Sequence, residues 1–481
     1  MLKCQAAPFE RVIEYLVRSL NNPLNKVPGP LYARFTNLPL KAAVISGRRI
    51  YHVHALHERY GPLVRIAPSE VAVADAQAFK LIHGVNSGFE KSPWYKDMVS
   101  IGREGVFTMA NNKTHAARRR LLSRPFSKSH LRQHWEVVAK ERVRLAVSQI
   151  RSEIVATGCA DVLKWWTFMA SDVSTHLMFG ESFHTLEEGK VSDYIRKLQS
   201  ALMGGGIGVE LPLVRWIGRR LPFQICRDLW AANDYLMGYA KLAVSNMKSS
   251  QGKTNVFANM MTEAEKGERL DDEDVRIETQ SLIVAGSETT SITLTYIVWA
   301  VLSRPDLQRR VEQELQTLQQ DFGDADVEQL QLLNAVVEET LRLYGAAPGG
   351  LPRIVPAAGT TMRDLFLPRG TTVTTQAYTF HRDANIFPEP LEYIPERWMA
   401  SNEDRHRVSD AAKAVYAPFG SGARTCLGVH LAYMELRMAA AACFRDCAGV
   451  RLAPSATPAS MEMENFFLIA PAEHKCEITM P

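Results

Sequence analysis

The sequence predicts a mainly α-helical fold with small β-sheets, and three observations carry that reading. Residues 127–155 ("SKSHLRQHWEVVAKERVRLAVSQIRSEIV") and 304–323 ("RPDLQRRVEQELQTLQQDFG") repeat apolar residues at helical spacing, the second with Pro305 in its opening turn. Thr279 to Leu302 is a long apolar run, of helix rather than strand length. Strand-like alternation is confined to 61–75 and to 353–379, where Gly370 punctuates two β-rich runs.

Composition sets the outer limits. The chain has 481 residues, 46% hydrophobic and 22% charged, which is ordinary globular material with ample core. A net charge of +4, without a dense basic run interleaved with aromatics, argues against nucleic acid as a partner. Seven scattered cysteines with no paired CxxC motif argue for reduced thiols facing the cytosol and against a zinc site.

At the N-terminus, Phe9, Val12, Ile13, Leu16, Val17 and Leu20 share one helical face. Glu10, Arg11, Glu14 and Arg18 interrupt any membrane-spanning run. The helix either packs on the domain or lies on a membrane surface, and a polar face without basic excess favours packing. Pro28, Gly29 and Pro30 then force a non-helical bend. Residues 1–30 therefore form an amphipathic segment with its bend, and 31–481 a single domain, because no low-complexity linker or repeat follows. Gly204, Gly205, Gly206 and Gly208 predict a mobile connection in 201–223, as a lid or as an ordinary loop.

The most specific stretch is "FGSGARTCLG", Phe419 to Gly428. A thiolate is a soft iron ligand and serves heme iron axially. Gly420, Gly422 and Gly428 allow tight turns around Cys426, Phe419 shields the sulfur, and Arg424 faces an anion such as a heme propionate. This pattern resembles the cytochrome P-450 family, the heme-thiolate monooxygenases. Further motifs follow in the family's order from His115 to Gly428.

The resemblance implies a multihelical P-450 fold with heme b between a long central helix and the cysteine loop, and Cys426 as the iron's ligand. In "ETLR", Glu339 and Arg342 share a helix face; with Arg397 of "YIPERW" they form the family's structural network. In "AGSETT", Gly286 admits a flat cofactor, Thr289 bonds back to the Ala285 carbonyl, and Glu288 with Thr289 relays protons. Arg119, His115 and Arg353 match propionate partners, with His115 standing where the family often has Trp. Electrons come from NADPH through a separate flavin-containing NADPH–cytochrome P-450 reductase, since the chain has no nucleotide-binding glycine motif of its own. That reductase docks on Arg118, Arg120, Arg124 and Lys128, unless these are simply a solvated helix face.

The pocket is drawn from the 94–109 loop with Phe107, the 201–223 segment, the central helix at Ala285, residues 345–352 with Leu351, and Phe466, Phe467 and Leu468. Its substrates are dioxygen and a bulky apolar compound. The 105–131 stretch resembles fungal secondary-metabolism members, which points to polyketide, terpenoid or alkaloid tailoring, aromatic polyketide first. Alternatives are an electron-independent isomerase or dehydratase, which the Glu288–Thr289 pair argues against, and a non-enzymatic heme-binding protein. The expected location is the cytosolic face of the endoplasmic reticulum, by peripheral contact, or the cytoplasm, with no transmembrane anchor in this sequence.

Overall fold

The computed structural model describes residues 3–99, 102–190, 193–230, 270–399 and 405–480, with isolated positions between 238 and 257. Its axis is a helix from Asp272 to Leu302, 31 residues long. Asp271 caps it: its side chain accepts the Asp274 N–H, and the Asp274 carboxylate answers on the Asp271 N–H. Asp272, Glu273 and Asp274 also sit where the helix dipole favours negative charge. The apolar run identified as Thr279 to Leu302 is thus the C-terminal part of a longer helix.

Helices Val162–Phe179, Gln331–Tyr344 and Val429–Asp446 pack directly on this axis. Nearly every side chain of Val162–Phe179 is buried. It starts at the Asp161 cap and stops at Gly180, whose φ of 81° closes the last turn in the left-handed region. The 127–155 segment is two helices, Lys128–His134 and Glu136–Thr157. Buried Trp135, at φ −126°, breaks the repeat between them. Pro305 does open its helix, Pro305–Leu315.

The largest sheet has five strands in the order Leu63–Ala67, Glu70–Val73, Thr372–Thr374, Arg353–Ile354 and Glu90–Lys91. Glu70–Val73 runs parallel to Thr372–Thr374, with Val71 opposite Val373. The two strand-rich stretches therefore meet in one sheet. The Pro28–Pro30 bend is stitched to it: the Arg65 N–H donates to the Pro28 carbonyl at 2.7 Å. Strands also occur outside those stretches, among them Met463–Asn465, Ile469–Pro471 and Glu477–Thr479. At three residues each, they are too short to display an alternating pattern.

Two expectations are corrected. The N-terminal helix, Lys3–Leu20, does not bury its apolar face: Val12, Ile13, Leu16, Val17 and Leu20 are all exposed. The glycines at 204–208 lie inside a continuous helix, Asp193–Glu210, and not in a loop. They serve close approach rather than mobility. A Cβ on Gly204 would lie 1.9 Å from the Leu229 carbonyl oxygen, and one on Gly206 would lie 2.1 Å from that of Phe466.

Gly206→Ala sets two effects against each other. Helix propensity gains about 1 kcal/mol, while overpacking costs about 1–3 kcal/mol, and the obstacle here is backbone. Thermal melting should show a lower Tm for the variant; a higher Tm would mean that the 466–467 turn yields freely.

Candidate functional site

The cysteine loop is held at both ends. The Cys426 N–H donates to the Phe419 carbonyl at 2.8 Å, closing the turn. Gly420 and Gly422 have φ of 72° and 64°, so they provide the conformational freedom expected of them. A Cβ on Gly422 would also strike the His83 carbonyl oxygen at 1.9 Å. Gly428 differs: its φ is −85°, and the space where its Cβ would be is empty. Its contribution is room. The Phe419 ring lies 5.2 Å from that of Tyr433.

Cys426 is accessible although protein surrounds it, as a residue on a chamber wall is. Burial raises its thiol pKa, while the Gly428 N–H and the charge of Arg119 pull it down. Arg119 donates to the Thr425 carbonyl at 2.6 Å. Arg424 donates to the carbonyls of Met109 and Ala110 and to Asn112 Oδ1. Both arginines thus clamp the loop to the helix Asn112–Ser123 and its lead-in.

Around this clamp positive groups accumulate. Arg353 is buried, and its Nε has no protein partner among the described residues. His115 is buried and held neutral, its pKa pushed to about 3 by lost hydration and by Arg424, Lys91, Arg119 and Arg353. Burial, with Arg353 next, brings Arg424 down to about 10. Lys91 is the member that sequence reasoning missed. It is buried over the rings of Tyr95 and Phe107, and burial with three arginine neighbours holds its pKa well below the ordinary lysine value. Glu90 offsets Arg424 in part, but its Oε1 is already engaged by Asn111 and Asn112.

Glu339 joins Arg342 and Arg397 in a buried network. Its carboxylate accepts from Arg342 Nε and Nη2, Arg397 Nε, Trp398 Nε1 and the Ile394 N–H. Burial alone would raise its pKa; the two arginines and the Ile394 N–H hold it below the ordinary value.

On the central helix, the Thr289 hydroxyl donates to the Ala285 carbonyl at 2.7 Å, as the sequence led us to expect. Ala285 is exposed although Ile283, Ser287 and Thr290 on the same stretch of helix are buried. Gly286 serves a different purpose from the one expected. A Cβ there would lie 2.4 Å from Ser174 Oγ, so the missing side chain admits the neighbouring helix. Beside this turn, Thr290 donates to Glu435, a buried carboxyl whose pKa is raised to about 8 by lost hydration.

The expected basic docking patch is partly dismantled. Arg118 points inward and pairs with Asp274 at 2.7 Å and Glu278 at 2.9 Å. Glu278 also accepts the Val106 N–H, which fastens the 102–109 loop to the central helix. Lys128 pairs with Glu328. Arg120 and Arg124 remain exposed.

The pocket segments converge more fully. A small, solvent-open cleft brings together Trp94, Gly206, Ala347, Leu351, Phe466 and Phe467. Phe107 reaches it through the Phe467 ring, at 6.0 Å. Ala285 is not on its wall. Glu210 comes from the expected 201–223 segment, while Arg49 is there unpredicted, because only the fold brings residues from such distant positions together.

A mainly helical domain with a glycine-framed cysteine loop, a buried Glu–Arg–Arg network and a polar, back-bonded turn in its long axial helix defines a heme-thiolate oxygenase. The chain belongs to the cytochrome P450 family, whose pattern it matches over residues 28–477. Similar proteins are the cytochrome P450 monooxygenases cypX of Dothistroma septosporum (35% identical over 98% of this chain and 93% of that one) and stcB of Emericella nidulans (37%, 95% and 89%). The monooxygenase aflV of Aspergillus parasiticus is 35% identical, over 98% and 94%. The protein is thus a P450 monooxygenase, an oxidoreductase.

Membership implies a heme iron with a thiolate ligand, and the residues present fit that group. A buried, unpartnered guanidinium costs several kcal/mol. Arg353, with Arg119, Arg424, Lys91 and His115 nearby, makes a cluster short of anions, suited to two carboxylates. Charge-assisted bonds to propionates would satisfy it.

Glu435 generates a pH prediction. Its folded pKa lies above the ordinary carboxylate value, so its contribution is present at acid pH and is lost as pH rises through about 8. The swing is at most about 5 kcal/mol. In urea unfolding between pH 5 and 8.5, the wild type should lose stability relative to Glu435→Gln, whose amide keeps an oxygen for Thr290. Parallel curves would mean that Glu435 is already ionised in the fold at neutral pH.

Proposed function

We propose that this monooxygenase oxidises a bulky, mostly apolar, polycyclic secondary metabolite, an aromatic polyketide first, with dioxygen and with NADPH electrons delivered by a separate flavoprotein reductase. The observation that carries this reading is the aromatic wall of the cleft, made by Trp94, Phe466 and Phe467.

The heme, when bound, supplies the iron that activates dioxygen. Cys426 is its thiolate ligand, and the Gly428 N–H and Arg119 favour the charged sulfur. Arg119, Arg353, Arg424, Lys91 and His115 orient the propionates. Glu288 and Thr289 move protons. Because Thr289 spends its hydrogen on the Ala285 carbonyl, its oxygen is free to accept a proton donor, and a small rotation of the hydroxyl passes a proton on. This acid–hydroxyl pair favours a monooxygenase over an electron-independent isomerase. Arg120 and Arg124 retain the docking role for an acidic reductase.

Among the described residues, no helix is long and apolar enough to cross a membrane. Exposed Leu213, Val214, Trp216, Ile217, Leu221 and Phe223, beside Arg219 and Arg220, support peripheral contact with the cytosolic face of the endoplasmic reticulum. Co-sedimentation with anionic vesicles should fall severalfold on Trp216→Ser with Phe223→Ser. Unchanged sedimentation would remove this patch from the membrane contact.

Cys426→Ser should lose the long-wavelength band of the reduced carbonyl complex, and a surviving band would reassign the ligand. Thr289→Ala should keep that band yet form severalfold less product per NADPH consumed; fully coupled turnover would end the relay.

A further inference from the structure

The cleft is more polar at one end than an apolar substrate requires. Arg49 and Glu210 stand on its wall beside Trp94 and Asn465. Arg49 bridges two carboxylates, Glu210 at 3.4 Å and Glu70 at 3.3 Å. The Trp94 indole N–H also donates to Glu210, at 3.2 Å. The donors of this corner are therefore turned onto carboxylate oxygen.

What remains is acceptor. Both bonds to Glu210 end on Oε1, and among the described residues no protein donor reaches its Oε2. Asn465 is buried and spends its amide hydrogens on the carbonyls of Phe467 and Leu468, leaving Oδ1. One guanidinium stands against two carboxyl groups, and burial with Glu210 nearby raises the pKa of Glu70. The walls beside these acceptors are aromatic, with the rings of Trp94 and Phe467 6.0 Å apart and tilted by 44°.

We propose that this corner binds the hydroxyl-bearing rim of an aromatic substrate, with phenolic O–H groups donating to Glu210 Oε2 and Asn465 Oδ1. The inference rests on the aromatic-substrate reading above and adds a polarity rule to it. A phenol satisfies both acceptors. A methyl ether leaves them desolvated and unpaired, a loss of roughly tenfold or more in affinity. A carboxylate meets negative charge. Glu210 and Asn465 thus select among substrates of similar shape and fix which end of the ring system enters the cleft first.

The test is calorimetric, so it depends on neither turnover nor the heme spectrum. Heme-loaded full-length protein is titrated with naphthalenediol, its dimethyl ether, naphthoic acid and (aminomethyl)naphthalene. The wild type should bind the diol at least tenfold tighter than the other three. Glu210→Gln, which keeps the shape and exchanges an acceptor for a donor, should lose most of that preference while binding the ether unchanged. A normal reduced-carbonyl band verifies that each variant is folded. Equal affinity for diol and ether would overturn the subsite and leave the aromatic reading standing. Tighter binding of the ammonium compound would replace a phenol site with a cation site. No binding of any naphthalene would overturn the aromatic reading itself.

Discussion

The carboxylate of Glu339 is the fixed point from which the cysteine loop is hung. It is fully desolvated, so it needs both guanidinium groups that surround it, and each of them needs it. Arg342 then reaches outward to the carbonyls of His381, Pro390 and Glu392. His381 returns a bond to the Arg342 carbonyl through Nδ1 and accepts the Ala417 N–H on Nε2. That double role requires a neutral ring, and burial supplies one by pushing its pKa to about 3. Ala417 stands two residues before Phe419, whose carbonyl closes the turn on Cys426. A carboxylate on one helix thus reaches a thiol 87 positions later through four hydrogen-bonded steps.

On the near side of the chamber the chain accepts the opposite arrangement. Basic groups there are crowded, with Glu90 only partly offsetting Arg424, which suits the cluster to an anionic group. Satisfied and unsatisfied charge are divided by task. The Glu339 network is complete within the protein, as a scaffold must be. The Lys91, Arg353 and Arg424 cluster is incomplete, as a binding site is before its ligand arrives.

The substrate side is built by close backbone approach. The glycines of Asp193–Glu210 let that helix touch Leu229 and the Phe466 turn, so the cleft's dimensions depend on residues that lack side chains. Glu278 fastens the 102–109 loop to the same central helix that carries Thr289. The 102–109 loop and the Thr289 turn are therefore placed relative to one element.

The sequence alone determined the helical class, the central helix, the cysteine loop, the Glu339–Arg342–Arg397 set and the back-bonded Thr289, because each is written in local spacing or in a motif whose chemistry is specific. It misjudged the glycines at 204–208, since a glycine needed for contact and one needed for motion look the same in a string. It placed Arg118 on a surface because a basic helix face does not show that Asp274 and Glu278 lie opposite. Lys91, His381, Glu435 and Arg49 were invisible for one reason. Their roles come from lost hydration and from neighbours tens to hundreds of residues away, and only the tertiary structure decides which charges are buried together.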